Sequence, residues 1–391
     1  MTRTLPGTLP RTLIDALVAE KKIVVCVGPG GVGKTTTAAA FAALAARAGR
    51  KTLVSTIDPA PRLADALGVS LSADPTPVPA EVSQALGIAP GLLHVARLDT
   101  ARAFATLVEE QVADPRMRRR IFDNPIYRQI TTTLTGSQEY AATLALYDIV
   151  RRGDYDLVVL DTPPTAHALD FLEAPRRIED AISSPALKWF VKPVGGGRFS
   201  LQRVRAGGAV ILGRLAKFVG SSLLEDIAAF LTDFQFVLGG FLERAQSIGH
   251  LLRQPQVAFL LVLGPEVSAV DEAIYFAGRL NAAGVPLAAF VVNRVHSPPG
   301  AIDADEIASR LRACPETAGV APADIDLAAE RLARTAVDFR QLTDGERREL
   351  ARLAEAAAGI PVWEVPQLGQ DIGSLAALRT IGDHLGMPPR P

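Results

Sequence analysis

Ile23-Val24-Val25-Cys26-Val27-Gly28-Pro29-Gly30-Gly31-Val32-Gly33-Lys34-Thr35-Thr36 is the stretch on which the fold turns. Its opening apolar, mostly β-branched run reads as a buried strand, and the alanine-rich run after Lys34 reads as a helix. The turn between them, Gly28 to Thr35, is a full match to G-x-x-x-x-G-K-[ST] in strand–loop–helix context, the pattern that cradles phosphates. Glycines let the backbone wrap closely so that successive N–H groups point inward, and the helix adds its positive end. Gly28, Gly30, Gly31, Val32 and Gly33 are therefore expected to line a nucleoside triphosphate, with Lys34 at its β- and γ-phosphates. The Thr35 hydroxyl is expected on a Mg2+ ion and Thr36 near the α-phosphate.

Outward from this turn, further apolar runs read as strands at residues 52–57, 156–161, 257–264, 287–293 and 360–365. Such runs alternating with helical stretches mark a mostly parallel sheet covered by helices on both faces, an α/β fold of the P-loop NTPase type. A length of 391 residues would on average suggest two or three domains, but one sheet with insertions accounts for it, so a single domain over residues 1–391 is predicted. The gap from 161 to 257 is far longer than one crossover helix needs. Helical insertions are read at residues 100–152 and 176–253, forming one subdomain above the carboxyl ends of the strands, where open α/β sheets bind ligands.

Hydrolysis of a bound triphosphate needs an acidic group at the metal and a group that orients water. Asp161 ends the 156–161 run and Asp58 follows the 52–57 run. An aspartate at a strand end also serves as a helix cap; two of them in a chain with a phosphate loop favour the metal and water roles. Lys34, Asp58 and Asp161 are thus the candidate catalytic residues, and Thr35 and Asp161 the candidate metal ligands.

At this point the chain resembles the arsenite-pump ATPase family, which includes the ATPases that guide tail-anchored membrane proteins. That family lies within the wider deviant phosphate-loop group of septum-site and chromosome-partition ATPases. The likeness rests on GPGGVGKTT, STIDPAPRLADAL, GSQEY at 136–140, DTPPTAHALDFL, the run from Leu263 to Val295 and VPQLGQDI near the end, and so spans nearly the whole chain. The resemblance implies Mg-dependent ATP hydrolysis that opens and closes a dimer. It implies that Asp58 positions the attacking water in a first switch, and that residues 161–165 sense the γ-phosphate in a second. It places Asn293 against adenine and Pro366 beside the base. The partner is expected to be a second copy or a related ATPase, and the cargo a hydrophobic helix or membrane protein.

Two departures qualify the likeness. The family usually carries a second lysine where this chain has Pro29, which offers neither ammonium nor N–H. Hydrolysis is then expected to be slow, or to draw on Arg62 or on a lysine-bearing relative in a mixed dimer. Cys26 and Cys314 are the only cysteines, so the soft-ligand cluster that As(III) needs is missing and arsenite pumping is not expected.

Composition narrows the remainder. A net charge of −1 gives no overall positive field, so nucleic acid is not an expected partner. The longest uncharged stretch, residues 82–96, contains Pro90 and is too short to span a bilayer, and the start lacks an unbroken apolar signal region. A reducing cytoplasm is expected. The 206–242 stretch carries only Arg214, Lys217, Glu225, Asp226 and Asp233 as charges, and Trp189, Phe190, Phe218, Phe230, Phe234, Phe236 and Phe241 cluster around it. Three readings stand for this segment: core and dimer surface, a groove for an apolar client helix, or peripheral membrane contact. The five histidines show no metal-binding spacing, and His167 alone falls inside a switch. Two further classes stand beside the cargo-handling ATPase: a partition-type or regulatory ATPase without cargo, and a subunit of a mixed dimer that barely hydrolyses.

Overall fold

In a computed structural model the described residues are 17–58, 60–125, 127–128, 137–162, 239–300, 303–357, 359–369 and 374–387, with Thr12, Glu173, Arg176, Glu179, Asp180, Asp233 and Val237. Most of the second switch, including His167, and most of the 176–253 insertion lie outside them. Of the aromatic residues singled out there, only Phe241 is described.

The chain runs β1 (Ile23–Val27), α1 (Lys34–Arg47), β2 (Thr52–Thr56), α2 (Arg62–Leu67), β3 (Thr76–Pro77), α3 (Ala80–Leu86), β4 (Leu93–Arg97), α4 (Thr100–Gln111), α5 (Pro115–Asp123), α6 (Ser137–Arg152) and β5 (Leu157–Asp161). After a helical segment at residues 239–251 come β6 (Val257–Leu263), α7 (Val267–Ala282), β7 (Leu287–Val295), α8 (Ala304–Ala313), α9 (Pro322–Ala356), β8 (Val362–Pro366) and α10 (Leu375–Leu385). One sheet of eight strands results, in the order β3-β4-β2-β5-β1-β6-β7-β8. Among the described residues only the β3–β4 pair is antiparallel.

The continuous apolar runs are explained by burial on both faces. Along β1, Ile23, Val25 and Val27 point into one core with α4, α6 and α7, while Val24 and Cys26 point into the other with α1 and α10. Successive side chains of a strand alternate, so both faces need apolar residues. Helix α1 lies against the sheet on a surface that is largely alanine, and Gly382 of α10 packs near the Ala40 carbonyl. Small residues let helix, sheet and second helix approach closely.

Strands β3 and β4 widen the sheet beyond the sequence reading, which treated residues 82–96 only as an uncharged stretch. Leu93 and Val95 are fully buried, and His94 sets its ring edge-on to Tyr155 at 5.2 Å. In the helical layer that includes α4 and α6, the Phe241 ring stacks with those of Phe104 and Tyr140 at separations near 6 Å, and the Tyr140 hydroxyl donates to the Phe241 carbonyl at 3.1 Å. Phe241 is therefore core. Arg244 ties the layer together, pairing with Asp148 of α6 and Glu110 of α4. Its guanidinium also lies 4.9 Å from the centre of the Tyr147 ring.

Candidate nucleotide-binding site

Three adjacent strands, β2, β5 and β1, end side by side, and their register sets Thr56 and Cys26 on either side of Asp161. The loop after β1 passes over these ends. Gly28 (φ 150°) has no room for a side chain, because a Cβ would overlap the Val262 carbonyl of β6. Gly33 (φ 93°) opens α1 in the left-handed region, where a Cβ would overlap the Asn293 amide. Helix α1 has no side-chain cap and no acidic residue in its first turn. Its first N–H groups thus stay available to an anion, which is how helix starts hold phosphate.

The Lys34 ammonium is buried and donates to the Pro29 carbonyl across the loop at 2.7 Å. Burial lowers its pKa; Asp161 and Asp58 act against that, and Arg62 adds to it. The two threonines after Lys34 lie in the first turn of α1, half-buried.

Asp161 is 1% exposed. Its Oδ2 accepts from the Thr35 hydroxyl at 2.8 Å and from the Thr56 hydroxyl at 3.1 Å. Oδ1 is buried without a hydrogen-bond partner among the described residues. Burial pushes the carboxyl pKa up to about 6, against the pull of both hydroxyls and of Lys34. An uncompensated carboxylate oxygen beside a threonine hydroxyl is a hard, oxygen-only donor set, which fits Mg2+. Thr162 then anchors the start of the next segment through a 2.8 Å bond from its hydroxyl to the Cys26 carbonyl.

Asp58 is held by a tight local turn. Its backbone N–H donates to Thr56 Oγ1 at 3.2 Å, and its Oδ1 accepts from the Ala60 N–H at 2.9 Å. Helix α2 has Pro61 as its N-cap and no side-chain cap, so Asp58 closes an Asx-type turn rather than capping that helix. Its other oxygen, Oδ2, faces the Arg62 guanidinium at 3.4 Å.

Sequence reasoning missed Thr56, whose hydroxyl serves both aspartates, because its place beside Asp161 exists only in the pairing of β2 with β5. It also missed what Asn293 touches. The Asn293 amide nitrogen donates to the Val32 carbonyl at 2.8 Å, and its oxygen accepts from the Arg294 N–H at 3.0 Å, so the side chain braces the phosphate loop from below. Arg294 is exposed and left-handed (φ 64°), at a shift in register between β7 and β8. Pro366 pairs with Val295 at the same end of those strands. Lys34, Thr35, Asp58, Asp161 and Asn293 are thus brought to one place, with Pro366 at the adjacent strand end. Among the described residues no group of three His, Cys, Asp or Glu side chains is arranged to hold a metal, and no helix is long and apolar enough to cross a membrane.

A model of a family described as anion-transporting ATPase matches residues 21–311. Among curated relatives, the ATPase GET3 of Malassezia globosa is 24% identical over 299 residues, 76% of this chain and 80% of that protein. The ATPase ASNA1 homolog of Leishmania infantum is 32% identical over 190 residues, 43% of this chain and 46% of that protein. An ATPase of Halobacterium salinarum named for driving an arsenical pump is 32% identical over 196 residues, 46% of this chain and 28% of that protein. The chain therefore spans less than half the length of the last two.

Proposed function

The chain belongs to the anion-transporting ATPase family, a family of ATP hydrolases, and on that premise we propose that it is a Mg-dependent ATPase whose nucleotide state controls a dimer and its handling of a hydrophobic partner. The observation that carries the reading is the Thr35–Asp161 contact at 2.8 Å, in the first turn of a helix that has no side-chain cap, with a second carboxylate oxygen that has no partner among the described residues. Thr35 and Asp161 would hold the ion, which when bound offsets charge on the β- and γ-phosphate oxygens. Lys34 exchanges the Pro29 carbonyl for a phosphate oxygen. Asp58 orients water in line with the γ-phosphorus. The water oxygen bonds to phosphorus as the bond to the bridging oxygen breaks, the electron pair leaves on ADP, and the water proton passes to the phosphate product.

Coupling to the rest of the molecule follows from where the two aspartates sit. The segments after β2 and β5 leave neighbouring strands and share hydrogen bonds through Thr56, so a change at the γ-phosphate reaches both. The 100–152 and 176–253 insertions would carry that change to a client helix or a membrane-protein partner, as the family resemblance of the sequence implies. Arsenite is not the proposed cargo, because soft thiolate ligation needs more than Cys26, buried in β1, and one distant cysteine. We place the protein in the cytoplasm.

Pro29 favours a second reading, a weakly hydrolysing subunit in a mixed dimer with a related ATPase. Phosphate release by the purified chain, by Lys34→Ala and by Asp58→Asn separates the two. The ATPase reading expects turnover that both substitutions reduce at least about 100-fold; equal background rates in all three leave only nucleotide binding.

A further inference from the structure

The Asp58 carboxylate has two oxygens, and they are not equivalent. Oδ1 is committed to the local turn through the Ala60 N–H. Oδ2 is the oxygen left to accept from a water, and it is the one that Arg62 covers. A carboxylate oxygen paired with a guanidinium is a weaker acceptor for a water proton, so this contact must yield before Asp58 can act. It is built to yield: at 3.4 Å the pair is longer than a charge-assisted hydrogen bond, and the arginine side chain is 62% exposed against 19% for the aspartate.

A destination for the guanidinium lies close by. The groups whose charge acts on the Lys34 ammonium are Asp161, Arg62, Asp58 and Cys26, so Arg62 is the second cation of the site among the described residues. The loop itself supplies no other, having Pro29 ahead of its paired glycines. Phosphoryl transfer spreads negative charge over three equatorial oxygens of the γ-phosphate, and a planar guanidinium matches two of them at once. Arg62 sits on the first turn of the short helix α2, one turn past Asp58, and its exposed side chain has room to change rotamer.

Resting on the ATPase reading above, we propose that Arg62 is a two-position latch: it caps Asp58 Oδ2 until a triphosphate enters, then transfers to the γ-phosphate oxygens, which frees Asp58 to orient water and supplies the missing positive charge. Occupancy of the cradle by a diphosphate leaves the latch on Asp58.

The test uses the purified full chain with Mg2+, comparing the natural protein with Arg62→Ala and Arg62→Lys. Calorimetry gives the affinities for ADP and for the slowly cleaved analogue ATPγS, and phosphate release gives kcat and KM. Arg62→Ala is expected to bind ADP within about 2-fold of the natural chain, to lose its preference for ATPγS over ADP, and to lose about 100-fold or more in kcat. Arg62→Lys recovers part of both, and added guanidinium ion partly restores Arg62→Ala. Turnover by Arg62→Ala at or above the natural rate, or an unchanged ATPγS preference, overturns the proposal. If the natural chain binds ATPγS but releases no phosphate, the hydrolytic reading falls and the affinity ratio alone still decides the latch. If it binds neither nucleotide, both fall.

Discussion

Asp161 shows how a single side chain can set the terms for a whole site. Its carboxyl keeps a proton up to about pH 6 in the folded chain but releases it near the ordinary value of 3.8 when unfolded. Between those values the folded state binds more protons, so stability falls as pH rises through this window and stays lower above it. A shift of this size corresponds to about 3 kcal/mol at most. Asp161→Asn, measured by urea unfolding without divalent metal, is accordingly expected to be more stable than the natural chain by about 1–3 kcal/mol at pH 7.5, and not at pH 4. Mg2+ with nucleotide should erase the advantage, because the ion compensates the charge that burial penalises. An advantage that persists unchanged at pH 4 would mean that packing, not the carboxylate charge, is responsible.

At the scale of elements, the junction of β7 with the phosphate loop leaves little room for change. Gly33 needs its left-handed backbone and leaves no space beside Asn293. Gly33→Ala is expected to cost about 1–3 kcal/mol in stability and to abolish nucleotide binding. Adding Asn293→Ala removes the overlap but not the backbone strain, so the double variant should recover only part of the loss; full additivity in a double-mutant cycle would show that the two do not meet. This brace was not legible in the sequence. Val32 and Asn293 are 261 positions apart, and nothing local marks an asparagine at the end of a strand as a support for a distant loop. The loop itself was legible, because its glycines, lysine and threonines follow one another in fixed order. Strand β4 went unread for a different reason. Its Leu-His-Val-Ala-Arg sequence has His94 half-buried and Arg97 exposed, so it lacks the unbroken apolar run that gave away β1, β5 and β6.

For the molecule as a whole, the decisive fact is that the site sits at the centre of the sheet. Strands β2, β5 and β1 are its third, fourth and fifth members, with two strands on one side and three on the other. A ligand held there binds residues carried by the middle strands, so its binding energy adds to the stability of the folded sheet. Mg-ATP at 100 times its Kd is worth about 2.7 kcal/mol, which calls for a rise of a few degrees in one calorimetric transition. A second transition left in place by nucleotide would assign the helical insertions to an independent unit. The outlying pair α8 and α9 has its own small apolar cluster of Ala308, Ile325 and Ala329, and the far half of α9 joins the main core through Leu350 and Leu353.

The hydroxyl of Thr56 gives its proton toward Asp161 and takes one from the amide of Asp58. One oxygen atom therefore hears from both sides. An ion held by Asp161 would pull on this hydroxyl, and the pull would reach Asp58, the residue proposed to orient water. On the proposed reading, arrival of the metal would thus be felt at Asp58 through one hydroxyl, without a helix or a domain having to move first.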